Sequence, residues 1–342
     1  MPLILLIVKI YIKILISKVY KLTMKILAIQ NRMGIGDTVI FLPFIKAISK
    51  KFGAPVSLLV KENSKADEFL NQTNYIDEII HLERDNKINQ KHDGFKGFFK
   101  LASDIKKYNF DKVFIFNSSL RYNLISRLAG IKEIFQYPLF EKQNQHITES
   151  AKKLIKRYLD IETSDNPEIQ IDNDLVQKSA VKFNINDKLN ILLGIGGSGP
   201  TKRIPSKTFL NVMERLENIK KCRFFLATGK NEDEQKILME ILSTKFREKC
   251  VALDNLSIKE TLPIIKNCNV AICNDTSFSH LSSALGIKTI TLMADTPLIY
   301  GSYNTNMHPI IPDGETTVSH NTHGKDKINP DKIYEKLLSI IN

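Results

Sequence analysis

The chain has 342 residues, 43 % of them hydrophobic, and a formal net charge of +12 at pH 7. This length exceeds a typical single domain and fits two domains of ordinary size, and 15 glycines with 12 prolines exclude a low-complexity or fibrous protein. The positive charge favours anionic partners: nucleic acid, phosphorylated small molecules or an acidic membrane surface.

Residues 1–23 form an apolar stretch that four lysines interrupt. A membrane-spanning helix needs about 20 largely uncharged residues, and a signal peptide has its basic residues before the apolar run, so both are disfavoured. Two interpretations remain: an interfacial anchor with its lysines near anionic lipid headgroups, and an upstream extension that is not translated. The second is slightly favoured, because a strand-like sequence begins directly after Met24.

From Lys25 onward, short β-rich runs alternate with amphipathic helical stretches. The predicted strands of this first half are 25–30, 56–60, 76–82 and 112–117, and the helical stretches run to about Lys51 and over 95–108 and 119–129. Strands that alternate with helices predict βαβ units and a parallel sheet.

The polar stretch 162–188 lacks a long periodic run, and we place a domain linker there, at 166–188. The alternation then restarts, with strands at 189–196, 222–229, 270–274 and 288–294 and helices at 207–218, from 231–234 onward and from about Thr276 to Gly286. The predicted fold class is therefore α/β, with two Rossmann-like domains that face each other across a ligand-binding cleft.

The four cysteines predict free thiols rather than a disulfide framework or a zinc site. Cys268 and Cys273 are a close pair, and no His or Cys pair follows them at zinc-binding spacing. Free thiols are typical of a reducing compartment, so the body of the protein is predicted to be cytosolic.

The first glycine-containing loop, 31–37, lies between a strand and a helix. Its glycines permit a tight turn and a close approach to a ligand, and the following helix N-terminus favours an anion. The spacing is not that of a dinucleotide-binding loop, and no acidic residue ends the strand 56–60, which argues against NAD. Asp37 is either a functional carboxylate or a helix cap.

Two further loops follow strands in the second half. The glycine-rich loop 194–205 can form an anion-binding nest, to which Lys202 and Arg203 add positive charge, although an ordinary flexible loop is the alternative. In the loop 274–280, Asp275 or Thr276 can cap the next helix, and His280 falls on its first turns, where it could face the cleft.

These three loops resemble motifs of the heptosyltransferase family, glycosyltransferase family 9, which builds bacterial lipopolysaccharide cores. In the first loop and helix, Arg32, Gly36, Asp37 and Pro43 fall on the family pattern. The stretch 201–205 is similar to the lysine segment of that family, with isoleucine where tryptophan is usual. The stretch 274–280 resembles its Asp-Thr-Gly-x-x-His motif with serine in place of glycine, and 295–301 resembles the segment that follows.

The resemblance, which covers residues 24–342, implies a GT-B fold and an inverting transfer of heptose from ADP-heptose to a Kdo or heptose hydroxyl of the lipopolysaccharide inner core. It implies that Asp37 is the general base and that Lys202 stabilises the departing diphosphate. Residues 24–165 would then bind the acceptor and residues 189–315 the nucleotide-sugar, with a C-terminal tail and helix at 316–342. No cofactor is required, because the ADP-sugar is a substrate. A bound divalent ion is not required if Lys202 and the helix N-terminus bind the phosphates.

The resemblance also implies individual binding residues and partners. The donor-binding residues would be Ser198, Thr201, Lys202, Gly229, Asp275, Thr276, Ser277 and His280, and the acceptor-binding residues Arg32, Gly36 and Arg121. The partners would be the nucleotide-sugar donor, an anionic glycolipid acceptor and the inner-membrane surface, on whose cytoplasmic face the protein would be peripheral. The glutamate that contacts the donor ribose in the family is not assigned, since Asn231 stands near its place.

Three alternatives stay open from the sequence. The same fold can use another nucleotide-sugar or glycan acceptor, or it can bind a nucleotide-sugar without catalysis. Nucleic-acid binding rests on charge alone, without a recognition motif. An Asp-x-Asp string at 172–174 lies in the predicted linker and is not taken as a metal site.

Overall fold

The computed structural model describes residues 24–32, 34–84, 90–139, 147–185 and 188–341, so the expectation for residues 1–23 lies outside the described part of the chain. The chain divides into two compact units. Unit 1 extends to Asp67 and includes Thr73–Ser164, and unit 2 consists of Glu68–Gln72 and the chain from Asp165 onward.

Unit 1 is built on a five-stranded parallel sheet in the order β3-β2-β1-β4-β5. Its strands are β1 (Ile26–Ile29), β2 (Val56–Lys61), β3 (Ile76–Leu82), β4 (Lys112–Ile115) and β5 (Glu133–Gln136). Every residue of β1 and β4 is buried, as expected for strands that helices cover on both faces.

The helices associated with this part of the chain are α1 (Ile35–Phe52), the short α2 (Ala66–Phe69), α3 (Gly94–Lys106), α4 (Leu120–Leu128) and α5 (Ile147–Leu159). Helix α1 ends at Gly53, whose φ of 63° is accessible to glycine without strain. The N-terminal turn of α1 follows Gly34, whose φ of 97° likewise requires glycine.

Unit 2 is built on a six-stranded parallel sheet in the order β11-β10-β9-β6-β7-β8. Its strands are β6 (Leu189–Gly194), β7 (Cys222–Ala227), β8 (Cys250–Ala252), β9 (Val270–Asn274), β10 (Thr289–Leu292) and β11 (Met307–Ile310). Its helices are α6 (Asn173–Lys182), α7 (Ser206–Glu217), α8 (Glu232–Leu242), α9 (Ile258–Lys266), α10 (Ser277–Ala284) and α11 (Pro330–Ile341). All four cysteines are free thiols.

The segment 166–188 differs from the irregular linker that its polar sequence suggests. It contains α6, which packs on α9 and is tied to it by a 2.8 Å hydrogen bond from the Asn267 side chain to the Val176 carbonyl oxygen. Asp172 caps α6 by accepting a 2.8 Å hydrogen bond from the backbone N–H of Asp174, which explains the Asp-x-Asp string as a capping sequence. The helix is hard to recognise because Ser179 is its only buried residue.

Both sheets have the strand order of doubly wound α/β domains, which confirms the predicted fold class of two Rossmann-like domains. In each sheet the order reverses between two neighbouring strands, β1 and β4 in unit 1 and β6 and β9 in unit 2. Ligands of such sheets bind at the carboxyl ends of the strands beside this reversal. The loops after these four strands are therefore the first places to look for a site.

Candidate active site

In unit 2 the loops after β6 and β9 are held together by one buried side chain. The Asn274 amide donates hydrogen bonds to the carbonyl oxygens of Ile195, at 2.9 Å, and Gly196, at 3.0 Å. Gly197 lies beside Thr276, since a side-chain carbon added at Gly197 would stand 3.7 Å from the Thr276 methyl group. The two sequence-predicted loops thus form one surface.

A buried ion pair joins these loops. The Lys202 ammonium donates to Asp275 Oδ2 at 2.9 Å, and the two side chains are 24 % and 7 % exposed. Burial raises the pKa of Asp275, but the nearby charge of Lys202 and its hydrogen bond outweigh burial, so the pKa lies below its ordinary value. Asp275 is therefore an anion at neutral pH, and it binds Lys202 directly before Thr276, the N-cap residue of α10.

His280 lies behind this pair, in the buried interior. Its Nε2 is 4.0 Å from Asp275 Oδ1, and its Nδ1 is 3.0 Å from the Tyr303 hydroxyl. Burial lowers the pKa of His280 more than the Asp275 charge raises it, so the imidazole is neutral at pH 7. Because the imidazole ring of His280 is neutral, Lys202 carries the positive charge among Lys202, Asp275 and His280.

The buried state of His280 predicts a pH dependence of stability. Its folded-state pKa lies below the unfolded value of about 6.5, so as pH falls below that value the unfolded chain takes up a proton that the folded chain does not. The free energy of unfolding should then fall by up to about 1.4 kcal/mol per pH unit for each such histidine, with His92 and His308 acting in the same direction.

Urea denaturation between pH 7 and 5 measures this slope, and His280→Gln should make it shallower. His320→Gln is the matched control, because His320 is exposed. An unchanged slope in His280→Gln would show that His280 does not contribute to the pH dependence.

The N-terminus of α10 completes the unit 2 cluster. Thr276 is the N-cap residue, and its buried hydroxyl has no hydrogen-bond partner within the described ranges. Ser277 is the first helical residue, and its φ is not positive, so serine in place of glycine causes no backbone strain. Backbone N–H groups of a helix N-terminus bind anions, and a buried hydroxyl without a partner is suited to receive a ligand.

Glu234 is a member of this surface that the sequence did not single out. Its buried carboxylate accepts a 2.7 Å hydrogen bond from the Gly197 N–H and a hydrogen bond from the Asn231 amide. It also fills the space beside Gly196 and Gly229, where any side chain would collide with it. Glu234 therefore shapes the glycine-rich loop from the side of α8.

Arg203 is engaged within the loop structure instead of projecting as an open charge. Its Nε donates to the Gly197 carbonyl oxygen at 3.0 Å, and its guanidinium pairs with Asp233 at 2.6 Å. Of Lys202 and Arg203, Lys202 is thus the cation that is bonded to Asp275, directly before the N-cap residue of α10.

The remaining predicted donor residues occupy the same edge. Ser198 is exposed in the loop after β6, and the Thr201 hydroxyl donates a hydrogen bond to Asp295. Burial raises the pKa of Asp295, but the hydrogen bonds from the His323 N–H and from Thr201 outweigh burial, so the pKa lies below its ordinary value. Gly229 follows β7, and its carbonyl oxygen accepts a 2.8 Å hydrogen bond from Gln235. All of these residues lie in the loops after β6, β7 and β10, at the carboxyl edge of the sheet.

In unit 1 the corresponding edge carries Arg32, Gly36 and Asp37. Arg32 is exposed in the loop after β1, and its backbone N–H donates to the Gln30 side chain at 2.8 Å. Gly36 and Asp37 are half-buried in the first turn of α1. The structure thus places the predicted base at a helix N-terminus beside the strand-order reversal of its sheet.

Four polar side chains that the sequence did not single out line this edge of unit 1. They follow β1, β4 and β5, and each has a buried nitrogen or oxygen without a hydrogen-bond partner in the part of the chain that the structure describes: Gln30, Asn117, Ser118 and Tyr137. Burial raises the pKa of Tyr137 while the nearby charge of Arg32 lowers it, and burial dominates. Because buried polar groups are normally satisfied, this cluster is suited to a polar ligand.

Arg121 makes structural contacts within unit 1. Its guanidinium donates to the carbonyl oxygens of His92, at 2.9 Å, and Gly94, at 3.1 Å, and lies 5.4 Å from the centre of the Phe98 ring. It thereby joins the N-terminal ends of α3 and α4. Burial lowers its pKa, although a guanidinium remains charged at neutral pH.

Neither edge holds a cluster typical of a metal site. Over the ranges that the structure describes, no group of three or more His, Cys, Asp or Glu side chains could hold a metal ion.

Comparison with known proteins identifies the family of the chain. The family model described as glycosyltransferase family 9 (heptosyltransferase) matches residues 98–336, more than half of the chain. A curated relative, lipopolysaccharide heptosyltransferase 1 of Campylobacter coli, is 25 % identical over 335 residues, which cover 88 % of this chain and 92 % of that protein.

Solved structures with the same fold include three glycosyltransferases. ADP-heptose lipopolysaccharide heptosyltransferase II of E. coli has a TM-score of 0.70 and 16 % identity, and covers 93 % of this chain and 98 % of its own. A family 9 glycosyl transferase of Veillonella parvula has a TM-score of 0.72 and 15 % identity, and the match covers 94 % of this chain and 97 % of that structure. E. coli heptosyltransferase WaaC with ADP has a TM-score of 0.66 and 15 % identity, and the match covers 92 % of this chain and 99 % of that structure. At these identities the likeness establishes the fold.

Proposed function

Since the chain belongs to glycosyltransferase family 9, the heptosyltransferase family, we propose that it transfers heptose from ADP-heptose to a sugar hydroxyl of the lipopolysaccharide inner core, with inversion at the anomeric carbon. The observation that carries the proposal is the Lys202–Asp275 pair directly before the N-cap residue of α10, where a leaving diphosphate needs positive charge. The likeness to a heptosyltransferase solved with ADP and to a lipopolysaccharide heptosyltransferase supports the choice of donor and acceptor class.

The donor would bind at the carboxyl edge of the unit 2 sheet. An ammonium group has several N–H donors, so Lys202 can bind phosphate oxygens while it keeps its hydrogen bond to Asp275. The Thr276 hydroxyl and the backbone N–H groups at the start of α10 would bind the same diphosphate. Ser198, Thr201, Gly229, Ser277 and His280 would complete or support this donor site.

The acceptor would bind at the carboxyl edge of unit 1. Asp37 would accept the proton of the acceptor hydroxyl, and Arg32 would pair with an acidic group of the acceptor. Gly36 precedes Asp37 in the first turn of α1. Arg121 would contribute positive charge from the start of α4.

The reaction balances with these groups alone. The Asp37 carboxylate takes the hydroxyl proton, the acceptor oxygen forms a bond to the anomeric carbon from the face opposite the diphosphate, and the bond between that carbon and the phosphate oxygen breaks. ADP leaves with the electron pair, and Lys202 stabilises the added negative charge. A divalent ion has no step assigned to it, because Lys202 and the α10 N-terminus supply the positive charge.

The anionic acceptor is the lipid-linked core of lipopolysaccharide under this proposal, so the protein would act on the cytoplasmic face of the inner membrane. Among the helices of the described ranges, none is long and apolar enough to cross a bilayer. The association that we propose with this membrane face is peripheral.

ADP release from ADP-heptose, with and without a Kdo-bearing lipid A acceptor, tests the proposed function. Acceptor-dependent release is expected, and other nucleotide-sugars should support it at least about tenfold less well, because one misfitting sugar group costs 1–3 kcal/mol or more. Turnover only with a different nucleotide-sugar would replace the donor assignment. Tight ADP-heptose binding without turnover across a panel of acceptors would favour a silent binding protein.

A further inference from the structure

Helices α3 and α4 of unit 1 carry large apolar side chains on their outer surface. Phe95 and Phe99 of α3 are 79 % and 50 % exposed, and Leu120, Leu124 and Leu128 of α4 are between 38 % and 51 % exposed. The three leucines recur every four residues and so lie along one face of α4. We call these five residues the α3–α4 apolar face.

The apolar face is continuous across the two helices. Helix α3 packs against α4, and Arg121 binds the carbonyl oxygens of His92 and Gly94, so the N-terminal ends of both helices are adjacent. The Phe95 and Phe99 rings are in contact, with centroids 5.0 Å apart, and Phe99 contacts Phe98, which packs on the core. Exposed apolar patches of this kind mark interaction surfaces in folded proteins.

Basic residues outnumber acidic residues on α3 and α4. Lys96 and Lys100 are exposed on α3, and Arg121 and Arg127 lie on α4, which contains no acidic residue. The only acidic residue of the two helices, Asp104, is paired with Lys107 at 2.7 Å, with Lys91 at 3.0 Å and with Lys100 at 3.9 Å. Asp93, directly before α3, is paired with Arg84 at 3.8 Å. Exposed apolar side chains with lysine and arginine beside them are complementary to an anionic lipid surface, and not to a neutral or basic protein.

We propose that the α3–α4 apolar face docks unit 1 on an anionic lipid bilayer. Phe95, Phe99 and the leucines enter the boundary between headgroups and acyl chains, and Lys96, Lys100 and Arg127 bind lipid phosphates. The start of α4 directly follows Ser118 and Ser119, so docking brings the carboxyl edge of the unit 1 sheet close to the lipid surface. This deepens the proposed function by naming the surface that presents a lipid-linked acceptor to that edge, but the lipid binding itself does not depend on turnover.

Sedimentation of the full chain with phosphatidylcholine vesicles, with or without phosphatidylglycerol, tests the docking. Wild type should bind the anionic vesicles, and raising the ionic strength should weaken the binding. The double variant Phe95→Ser with Leu124→Ser should bind at least about tenfold less, because the apolar area that enters the lipid is lost. Lys96→Glu tests the charge contribution without changing the apolar side chains, and should also bind less.

The matched control is Val181→Ser, which removes an apolar side chain that is 82 % exposed on α6 of unit 2. It should bind vesicles as wild type does, and the melting temperatures of all variants should remain close to that of wild type because the changed side chains are exposed. The proposal would be overturned if wild type did not bind anionic vesicles, or if the double variant bound them as well as wild type does. If wild type did not bind vesicles, a protein would be left as the partner of this face.

Activity assays separate this proposal from the proposed function. With a detergent-dispersed acceptor the double variant should turn over as wild type does, and with the acceptor in anionic vesicles its rate should fall in parallel with vesicle binding. If wild type showed no turnover but bound vesicles in a way that required the α3–α4 apolar face, the proposed function would be contradicted and the docking surface would stand.

Discussion

Asp37→Asn is expected to lower acceptor-dependent turnover by about 10²–10⁴-fold, the usual contribution of a positioned general base. The asparagine amide keeps the size of the side chain at the start of α1 but cannot accept the acceptor proton. Because the change affects the acceptor step, kcat should fall while the KM for ADP-heptose remains close to that of wild type. Steady-state kinetics of ADP release measure both constants.

The matched control for this prediction is Asp67→Asn, an exposed aspartate of the same unit that pairs with His81 at 3.8 Å. It should retain wild-type turnover. Asp37 also places negative charge in the first turn of α1, where it interacts favourably with the helix dipole, so the melting temperature of Asp37→Asn is measured alongside its rate. Wild-type turnover in a folded Asp37→Asn enzyme would remove Asp37 from the role of base.

Lys202→Met is expected to lower kcat by about 10²–10³-fold, which corresponds to the 2.7–4 kcal/mol that one electrostatic stabiliser of a transition state typically contributes. Lys202 is the cation that is bonded to Asp275, directly before the N-cap residue of α10, whereas Arg203 is bonded to Gly197 and Asp233. The same substitution leaves the carboxylate of Asp275 buried without its cation, so the free energy of unfolding should also fall, by up to about 3 kcal/mol.

A double variant separates the two roles of Lys202. Adding Asp275→Asn to Lys202→Met removes the buried unpaired charge, so stability should recover toward that of wild type while turnover does not. Lys207→Met is the matched control, because Lys207 is an exposed lysine of the neighbouring helix α7. Recovery of turnover in the double variant would show that Lys202 acts only by neutralising Asp275.

The interior strands of both sheets could be predicted because they are continuous apolar runs. Strands β1, β4, β6 and β9 are buried or nearly so along their length, and each is followed by a glycine-containing or polar loop. The strands β5, β8 and β11 were not predicted. They are three or four residues long, lie at the edges of their sheets and are only partly buried, so their sequences lack a clear pattern.

The resemblance to family 9 was visible in the sequence, and the family match confirms it. The three motifs are local: each consists of a few residues between one strand and the next helix, and so it can be recognised without knowing which strands are neighbours. The roles of Asp37, Lys202 and the other predicted site residues stay predictions, and the variants above test those of Asp37 and Lys202.

The tertiary structure alone decided which side chains meet at each edge. Lys202 and Asp275 are 73 positions apart and Glu234 and Gly197 are 37 apart, and no local pattern connects either pair. The polar cluster of unit 1 likewise combines the ends of β1, β4 and β5. Local sequence determines that a chain segment is a strand, but contacts between distant loops depend on strand order, and that order results from packing all helices and strands around a shared core.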